Sequence, residues 1–165
     1  MKTRHFPGCW SLGRKDNLWK NFSRMKRSFG KDYDFCPQTY LLPDDYRRFQ
    51  SDRENDPKGL WIVKPMASSQ GKGIRVISAN SELKKKKGLL ISKYLSKPHL
   101  INECKYDLRI YVCVTCFDPL RIYIYDNGLV RLATEKYTTA KSKIKKKYVH
   151  LTNYSIQKKA AGYNK

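Results

Sequence analysis

The chain has 165 residues, enough for one domain or one and a half, and its 40% hydrophobic content, with 12 Tyr and 3 Trp, is too apolar for a disordered polymer. A formal net charge of +21 points to a polyanionic partner: nucleic acid, an anionic membrane or an acidic protein tail. The apolar stretches are too short for a membrane-spanning helix, and the opening MKTRHFPGCW lacks an apolar signal region, so neither a membrane anchor nor a secretory leader is expected.

In chain order, RKDNLWKNFSRMKRSF (14–29) reads as an amphipathic helix. Leu18, Trp19, Phe22, Met25 and Phe29 share one face, the other face is basic, and Gly30 is a stop signal. CPQTYLLP (36–43) reads as a short strand, DYRRFQ (45–50) as a short helix and SDRENDPKG (51–59) as a surface loop. LWIVKP (60–65) and GIRVIS (73–78) read as two strands joined by a small, polar, glycine-bearing loop. SANSELKKKK (78–87) reads as a capped helical turn and GLLISKYL (88–95) as a buried strand. YDLRIYVCVTCF (106–117) alternates as one long strand, with Leu108, Ile110, Val112 and Val114 opposite Asp107, Arg109, Tyr111 and Cys113. FDPL is a turn, and RIYIYDNGLVRLATEKY (121–137) reads as a hairpin about Asn127-Gly128. KSKIKKKY (141–148) reads as a mobile loop before HLTNYSIQKK (150–159). Together these elements make an α+β chain of mostly antiparallel sheets with flanking helices.

Several residues could carry chemistry, each with a plainer alternative. Lys64 ends a strand beside the loop ASSQGKG. Its ammonium suits a phosphate, and small residues with positive-φ glycines let backbone N–H groups approach an anion. The same pattern also fits an ordinary hairpin loop. It is neither a Walker A loop nor a dinucleotide fingerprint, because no helix follows. Asp107 and Arg109, two apart on a strand, fit either an exposed ion pair or a ligand-lining pair. The five cysteines are odd in number and scattered, which favours reduced thiols in a cytosolic compartment. Cys113 and Cys116 sit in a strand pattern three apart and so read as unrelated side chains, not as a metal or redox pair.

The ordered set WIVKP…GKGI, LLISKYL, KYDLRIYV…DPLRIYIYDNGLVRLA and HLTNYSIQK, preceded by HFPGCWSLGRKDNLWKNFSRMKRSFGKDYDFCPQTYLLP, resembles the tubulin tyrosine ligase-like family, and within it the polyglutamylases. The resemblance covers nearly the whole chain. It implies an ATP-grasp-like α+β fold in which a glycine loop between two strands closes over ATP phosphates. The divisions expected are 1–34 (a basic helical segment), 35–98 (a central subdomain) and 99–165 (the start of a C-terminal subdomain), with the fold incomplete at both ends. The implied activity is ATP-dependent ligation of free glutamate to glutamate side chains in acidic tubulin tails.

Carried over residue by residue, the resemblance implies ATP contacts at Lys64, Gln70, Gly71, Ser92, Lys93, Tyr94, Leu95, Lys105, Tyr106, Asp107, Thr152 and Asn153. It implies contacts to the incoming glutamate at Arg131, Tyr154 and Ser155. Gln70 stands where the family often has arginine, and Ser92 where many members have Gln or Arg. The cofactors implied are ATP and Mg²⁺. The resemblance implies that an Asp and a later Glu-x-Asn beyond HLTNYS hold Mg²⁺; from Lys136 to Lys165 there is no Asp or Glu, so these ligands are expected beyond Lys165, the sequence reads as an internal piece of an enzyme, and no catalytic or metal residue is assignable within it. The expected setting is cytoplasmic, on microtubules, with a cilium or basal body inferred from the substrate, and with a monomer acting on tubulin and neither membrane nor nucleic acid as partner. A different class of reading is a non-catalytic basic module on microtubules or nucleic acid, carried by KKKK (84–87) and KIKKK (143–147). Those runs lack the interleaved aromatics of a base-stacking platform.

Overall fold

A computed structural model describes residues 7–66, 68, 70–83 and 85–163; Ala67 and Ser69 of the glycine loop and Lys84 of the lysine run lie outside them. The chain divides into two compact units, Met1–Ser96 and Lys97–Lys165.

The first unit opens with α1 (Trp10–Gly13) and α2 (Lys15–Phe29), followed by a 3₁₀ turn (Gly30–Tyr33). Gly30 has φ 59° and donates its N–H to the Lys26 carbonyl, which ends α2 as the sequence predicts. Leu18, Trp19, Phe22 and Met25 are half-buried, whereas Phe29 is exposed and stacks near Tyr33 with ring centroids 5.8 Å apart.

Then come β1 (Thr39–Leu42), α3 (Tyr46–Glu54), β2 (Leu60–Pro65), β3 (Arg75–Ser78) and β4 (Leu89–Lys93). The strands form one antiparallel sheet in the order β1-β4-β2-β3. Alternation sends Tyr40, Leu42, Trp61, Val63, Ile77 and Ile91 to one face, where Phe49 of α3 packs edge-on against Tyr40 and Trp61. Phe49 is fully buried, so its truncation to Ala costs about 3–5 kcal/mol. The opposite face carries Thr39, Lys64, Leu90 and Ser92 toward α2.

Two expectations for this unit are corrected. Helix α3 runs on through Ser51–Glu54, which read as loop, because Phe49 anchors it to the sheet. Residues 78–87 hold no helix among those described. The Ser81 hydroxyl accepts the Ser78 N–H at 3.1 Å, and the Ser81 carbonyl accepts from Arg53 at 3.1 Å, so the groups that would start a helix are used in a turn.

The second unit holds β5 (Leu100–Ile101), β6 (Cys104–Arg109), β7 (Val112–Phe117), β8 (Leu120–Ile124) and β9 (Leu129–Lys136). After a 3₁₀ turn (Lys141–Lys143) come α4 (Lys147–His150) and α5 (Tyr154–Gln157). The strands make a β5-β6-β9 sheet and a separate β7-β8 ribbon, both antiparallel.

This arrangement corrects the long strand and the hairpin. The run 106–117 breaks at Ile110-Tyr111, where pairing passes from β9 to β8, and β8 and β9 do not pair with each other. Side-chain alternation continues through such a break, so the sequence pattern does not reveal it. Gly128 serves close approach and not a tight hairpin: a Cβ there would lie 2.6 Å from the Arg109 carbonyl oxygen. The expected loop at 141–148 is also corrected, because Ile144 is buried and pins it.

Candidate functional site

In the first unit, the pleat of β2 turns Lys64 to the α2 side of the sheet, opposite Leu90 of β4. Lys15, Leu18, Trp19 and Phe22 of α2 complete a cleft of about 210 Å³ with Lys64, Thr39 and Ser92. Burial lowers the Lys64 pKa, and the positive charge of Lys15 lowers it further. The cleft therefore holds two ammonium groups without a carboxylate among its lining residues, an arrangement that an anion would stabilise.

The loop after Lys64 is built for close approach. Gln70, Gly71 and Gly73 have φ of 58°, 76° and 71°. At Gly73 a Cβ would also lie 2.7 Å from the Pro65 ring, so glycine is required there twice over. The Ile74 N–H closes a turn on the Gly71 carbonyl at 3.2 Å, and the Ser68 hydroxyl donates across the loop to the Lys72 carbonyl at 2.9 Å. Lys15 grips the first limb: its ammonium donates to the carbonyls of Ser68 at 2.5 Å and Pro65 at 3.4 Å. Lys15 is absent from the sequence-derived set. As the first residue of a basic amphipathic helix it carried no distinguishing signal.

The expected hinge residues are each placed differently. Ser92 is buried and its hydroxyl accepts from Thr39 at 2.9 Å. Lys93 lies 4.6 Å from the Trp61 ring centre and ion-pairs with Asp56. Tyr94 is buried and donates its N–H to the Leu60 carbonyl at 2.9 Å, while Leu95 is 65% exposed.

In the second unit, Asp107 on β6 and Arg131 on β9 are register partners. Arg131 Nε donates to both Asp107 oxygens at 3.1 Å and a terminal nitrogen adds a further bond, so the carboxylate raises the guanidinium pKa. The sequence pairing of Asp107 with Arg109 is thus replaced by a cross-strand pair with Arg131, and Arg109 is exposed. Tyr106 meets His99, with its hydroxyl 3.2 Å from Nδ1. Lys105 lies near His150, which is 3% exposed and held 3.3 Å from the Lys143 carbonyl.

Arg131, Thr152 and Tyr154 line one cleft of about 450 Å³ with Thr134 and Gln157. Asn153 is the first residue before α5, where its carbonyl accepts from Ile156 and Gln157, and Ser155 sits half-buried within the helix. Gln157, which sequence reasoning quoted but did not single out, is 1% exposed and stitches α5 to β9. Its Oε1 accepts from the Thr134 N–H at 2.9 Å and hydroxyl at 2.8 Å; its Nε2 donates to the Tyr148 and Leu151 carbonyls.

The sequence pattern of the tubulin-tyrosine ligase family matches residues 1–165. The chain belongs to that family. It is 50% identical over 164 residues to human tubulin monoglutamylase TTLL4, a match covering 99% of this chain and 14% of that protein. It is 44% identical over 164 residues to human tubulin polyglutamylase TTLL5, covering 99% of this chain and 13% of that protein. It is 43% identical over 160 residues to the Caenorhabditis elegans tubulin polyglutamylase ttll-4, covering 97% of this chain and 27% of that protein. The chain therefore spans between about an eighth and a quarter of the length of these curated relatives. All five cysteines are free thiols, no group of three metal-ligating side chains occurs among the described residues, and none of the described helices is long and apolar enough to cross a membrane.

Proposed function

We propose that this chain supplies the phosphate cradle and part of the amino-acid site of an ATP-dependent ligase that joins free glutamate to glutamate side chains in acidic tubulin tails. The names of its relatives, tubulin mono- and polyglutamylases, support the substrate. The observation that carries the reading is Lys64. It is a half-buried lysine with a lowered pKa at a strand end, beside a loop with three positive-φ residues, Gln70, Gly71 and Gly73, that leads into a second strand. That arrangement supports an ATP-grasp-like clamp.

The chemistry asks for these parts. A carboxylate is a poor electrophile. Its oxygen attacks the terminal phosphorus of ATP and ADP leaves; the glutamate amine then attacks the acyl carbon of the acyl phosphate and gives up a proton, forming the amide and releasing phosphate. Lys64 neutralises phosphate charge as it builds up on transfer, and Lys15 keeps the loop beside it. Gln70 and Gly71 close over the phosphates. Ser92, Lys93, Tyr94 and Leu95 edge the base, and Lys105, Tyr106, Asp107, Thr152 and Asn153 complete the nucleotide contacts. Arg131 receives the carboxylate of the incoming glutamate, oriented by Asp107, with Tyr154 and Ser155 beside it. Bound Mg²⁺ would add charge neutralisation at the phosphates, but the described residues offer no group of three metal-ligating side chains to hold it. This reading brings with it a place on microtubules and a monomeric enzyme.

The test is incorporation of labelled glutamate into tubulin, with ATP, by the protein carrying this chain. Lys64→Ala is expected to abolish incorporation while the protein still folds. Unchanged incorporation would remove Lys64 from the mechanism. Tubulin binding without any incorporation by the native protein would favour a non-catalytic basic module.

A further inference from the structure

The basic side of α2 is organised, and nothing in the ligation chemistry above uses it. Lys20, Arg24 and Arg27 recur at i, i+4 and i+7, all exposed and opposite the apolar face that meets the sheet. Other cations of this region are neutralised: Lys26 pairs with Asp34, and Arg14 forks onto buried Asp16 at 2.8 and 3.2 Å. Lys20, Arg24 and Arg27 have no ion pair among the described residues.

At the N-terminal end of this stripe lies a cleft of about 520 Å³. Arg14, Lys20 and Lys87 line it over a floor of Leu41, Leu42 and Pro43, with Asp44 as its one carboxylate besides Asp16. Its edge is Met66, the first residue of the glycine loop, tied there by its N–H to the Gly88 carbonyl at 2.9 Å. Exposed Lys85 and Lys86 precede Lys87 in the chain.

We infer that this stripe and cleft form the docking track for a glutamate-rich acceptor peptide, guiding it toward the phosphate loop. The inference rests on the ligase reading. An extended peptide presents a side chain to one face about every 6.8 Å. The helix sets its cations about 6 Å apart from Lys20 to Arg24 and about 4.5 Å apart from Arg24 to Arg27, a mismatch that long Lys and Arg stems absorb. A run of consecutive glutamates therefore keeps one carboxylate per cation along α2. Its leading residue reaches the cleft at Lys20 and Lys87, next to Met66. Single-stranded nucleic acid fits less well, because the stripe bears no aromatic side chain between its cations on which bases could stack.

The experiment is fluorescence anisotropy of a labelled octa-glutamate peptide with the full chain, without ATP. Its outcome is therefore separate from nucleotide binding and ligation. The stripe variant Lys20→Gln/Arg24→Gln/Arg27→Gln is compared with a control of equal charge loss, Lys141→Gln/Lys143→Gln/Lys145→Gln, all exposed residues of the second unit. The stripe variant is expected to bind about tenfold more weakly and with a flatter salt dependence, while the control changes less than about twofold. Equal losses in the two variants would mean that overall charge alone holds the peptide, and the inference fails. It also fails if a labelled octa-uridylate binds the native chain more tightly than the peptide and loses affinity in the stripe variant. Circular dichroism of both variants checks that folding is retained. If the native chain shows no ATP affinity yet the stripe variant loses the peptide selectively, the track stands and the ligase reading falls.

Discussion

Asp107 and Arg131 face each other across β6 and β9, and the carboxylate holds the guanidinium by bonds from Nε at 3.1 Å and from a terminal nitrogen. This pair fixes the guanidinium plane within the cleft of Thr152 and Tyr154. Arg131→Lys keeps the charge but loses the fork, and is expected to raise the KM for glutamate roughly tenfold or more with a smaller effect on kcat. Asp107→Asn is expected to weaken both glutamate and nucleotide. Steady-state kinetics with the two substrates varied separately checks both.

Lys64 sits in a place that suits a ligand better than it suits the empty fold. Its folded pKa is lowered, first by burial and then by Lys15, so its charge opposes folding at neutral pH. A group with a depressed folded pKa contributes more stability as pH rises toward its ordinary value of 10.5. Lys64→Met is therefore expected to stabilise the unliganded chain by about 1 kcal/mol while removing ATP affinity. Urea unfolding with and without ATP measures both effects.

Lys15 is expected to act through the loop. Replacing it with Met removes the donor to the Pro65 and Ser68 carbonyls. Amide exchange across residues 66–74 should then quicken by about tenfold, since the net worth of such bonds is roughly 1–2 kcal/mol. Lys15→Arg should restore part of the protection. Exchange measured by mass spectrometry in native and variant chains decides it.

Gln157 is expected to be the most sensitive polar residue of the second unit. Gln157→Leu leaves the Thr134 N–H and the Tyr148 and Leu151 carbonyls without the partners they have here. The cost is roughly 2–4 kcal/mol. Thermal unfolding of the native chain and the variant should differ accordingly, and glutamate binding should fall with it, because Gln157 lines the same cleft as Arg131.

His150 gives the second unit a pH dependence. Burial lowers its pKa below 6.5, the Lys143 carbonyl opposes that, and nearby Lys105 adds to it. The unfolded chain thus takes up a proton before the folded one, and stability falls as pH drops below about 6.5. His150→Gln should flatten the dependence of the unfolding midpoint between pH 7 and 5. An unchanged slope in the variant would assign the dependence to other groups.

Much of the first unit was legible because its signals are local. The α2 pattern, the Gly30 stop and the strands at 60–65 and 89–93 follow from periodicity and punctuation within a few residues. The second unit was harder because its pairing is long-range. Alternation from Tyr106 to Phe117 holds through the break at Ile110-Tyr111, and nothing local tells that β6 pairs with β9 rather than continuing to β7. Asn127-Gly128 misled for the same reason: the glycine answers to the Arg109 backbone, a tertiary contact. The strand–loop–strand setting of Lys64 was readable from composition, whereas the grip of Lys15 and the stitches of Gln157 depend on distant segments meeting.

Activation of the acceptor carboxylate by ATP at the Lys64 loop, before glutamate attacks it, is the step on which the proposed function turns. Its most direct test is oxygen transfer. Acceptor peptide labelled with ¹⁸O in its glutamate side chains is incubated with ATP, glutamate and the protein carrying this chain, and the released phosphate is analysed by mass. One labelled oxygen in the phosphate for each amide formed, lost in Lys64→Ala, is the predicted result. Amide formation with unlabelled phosphate would contradict the account.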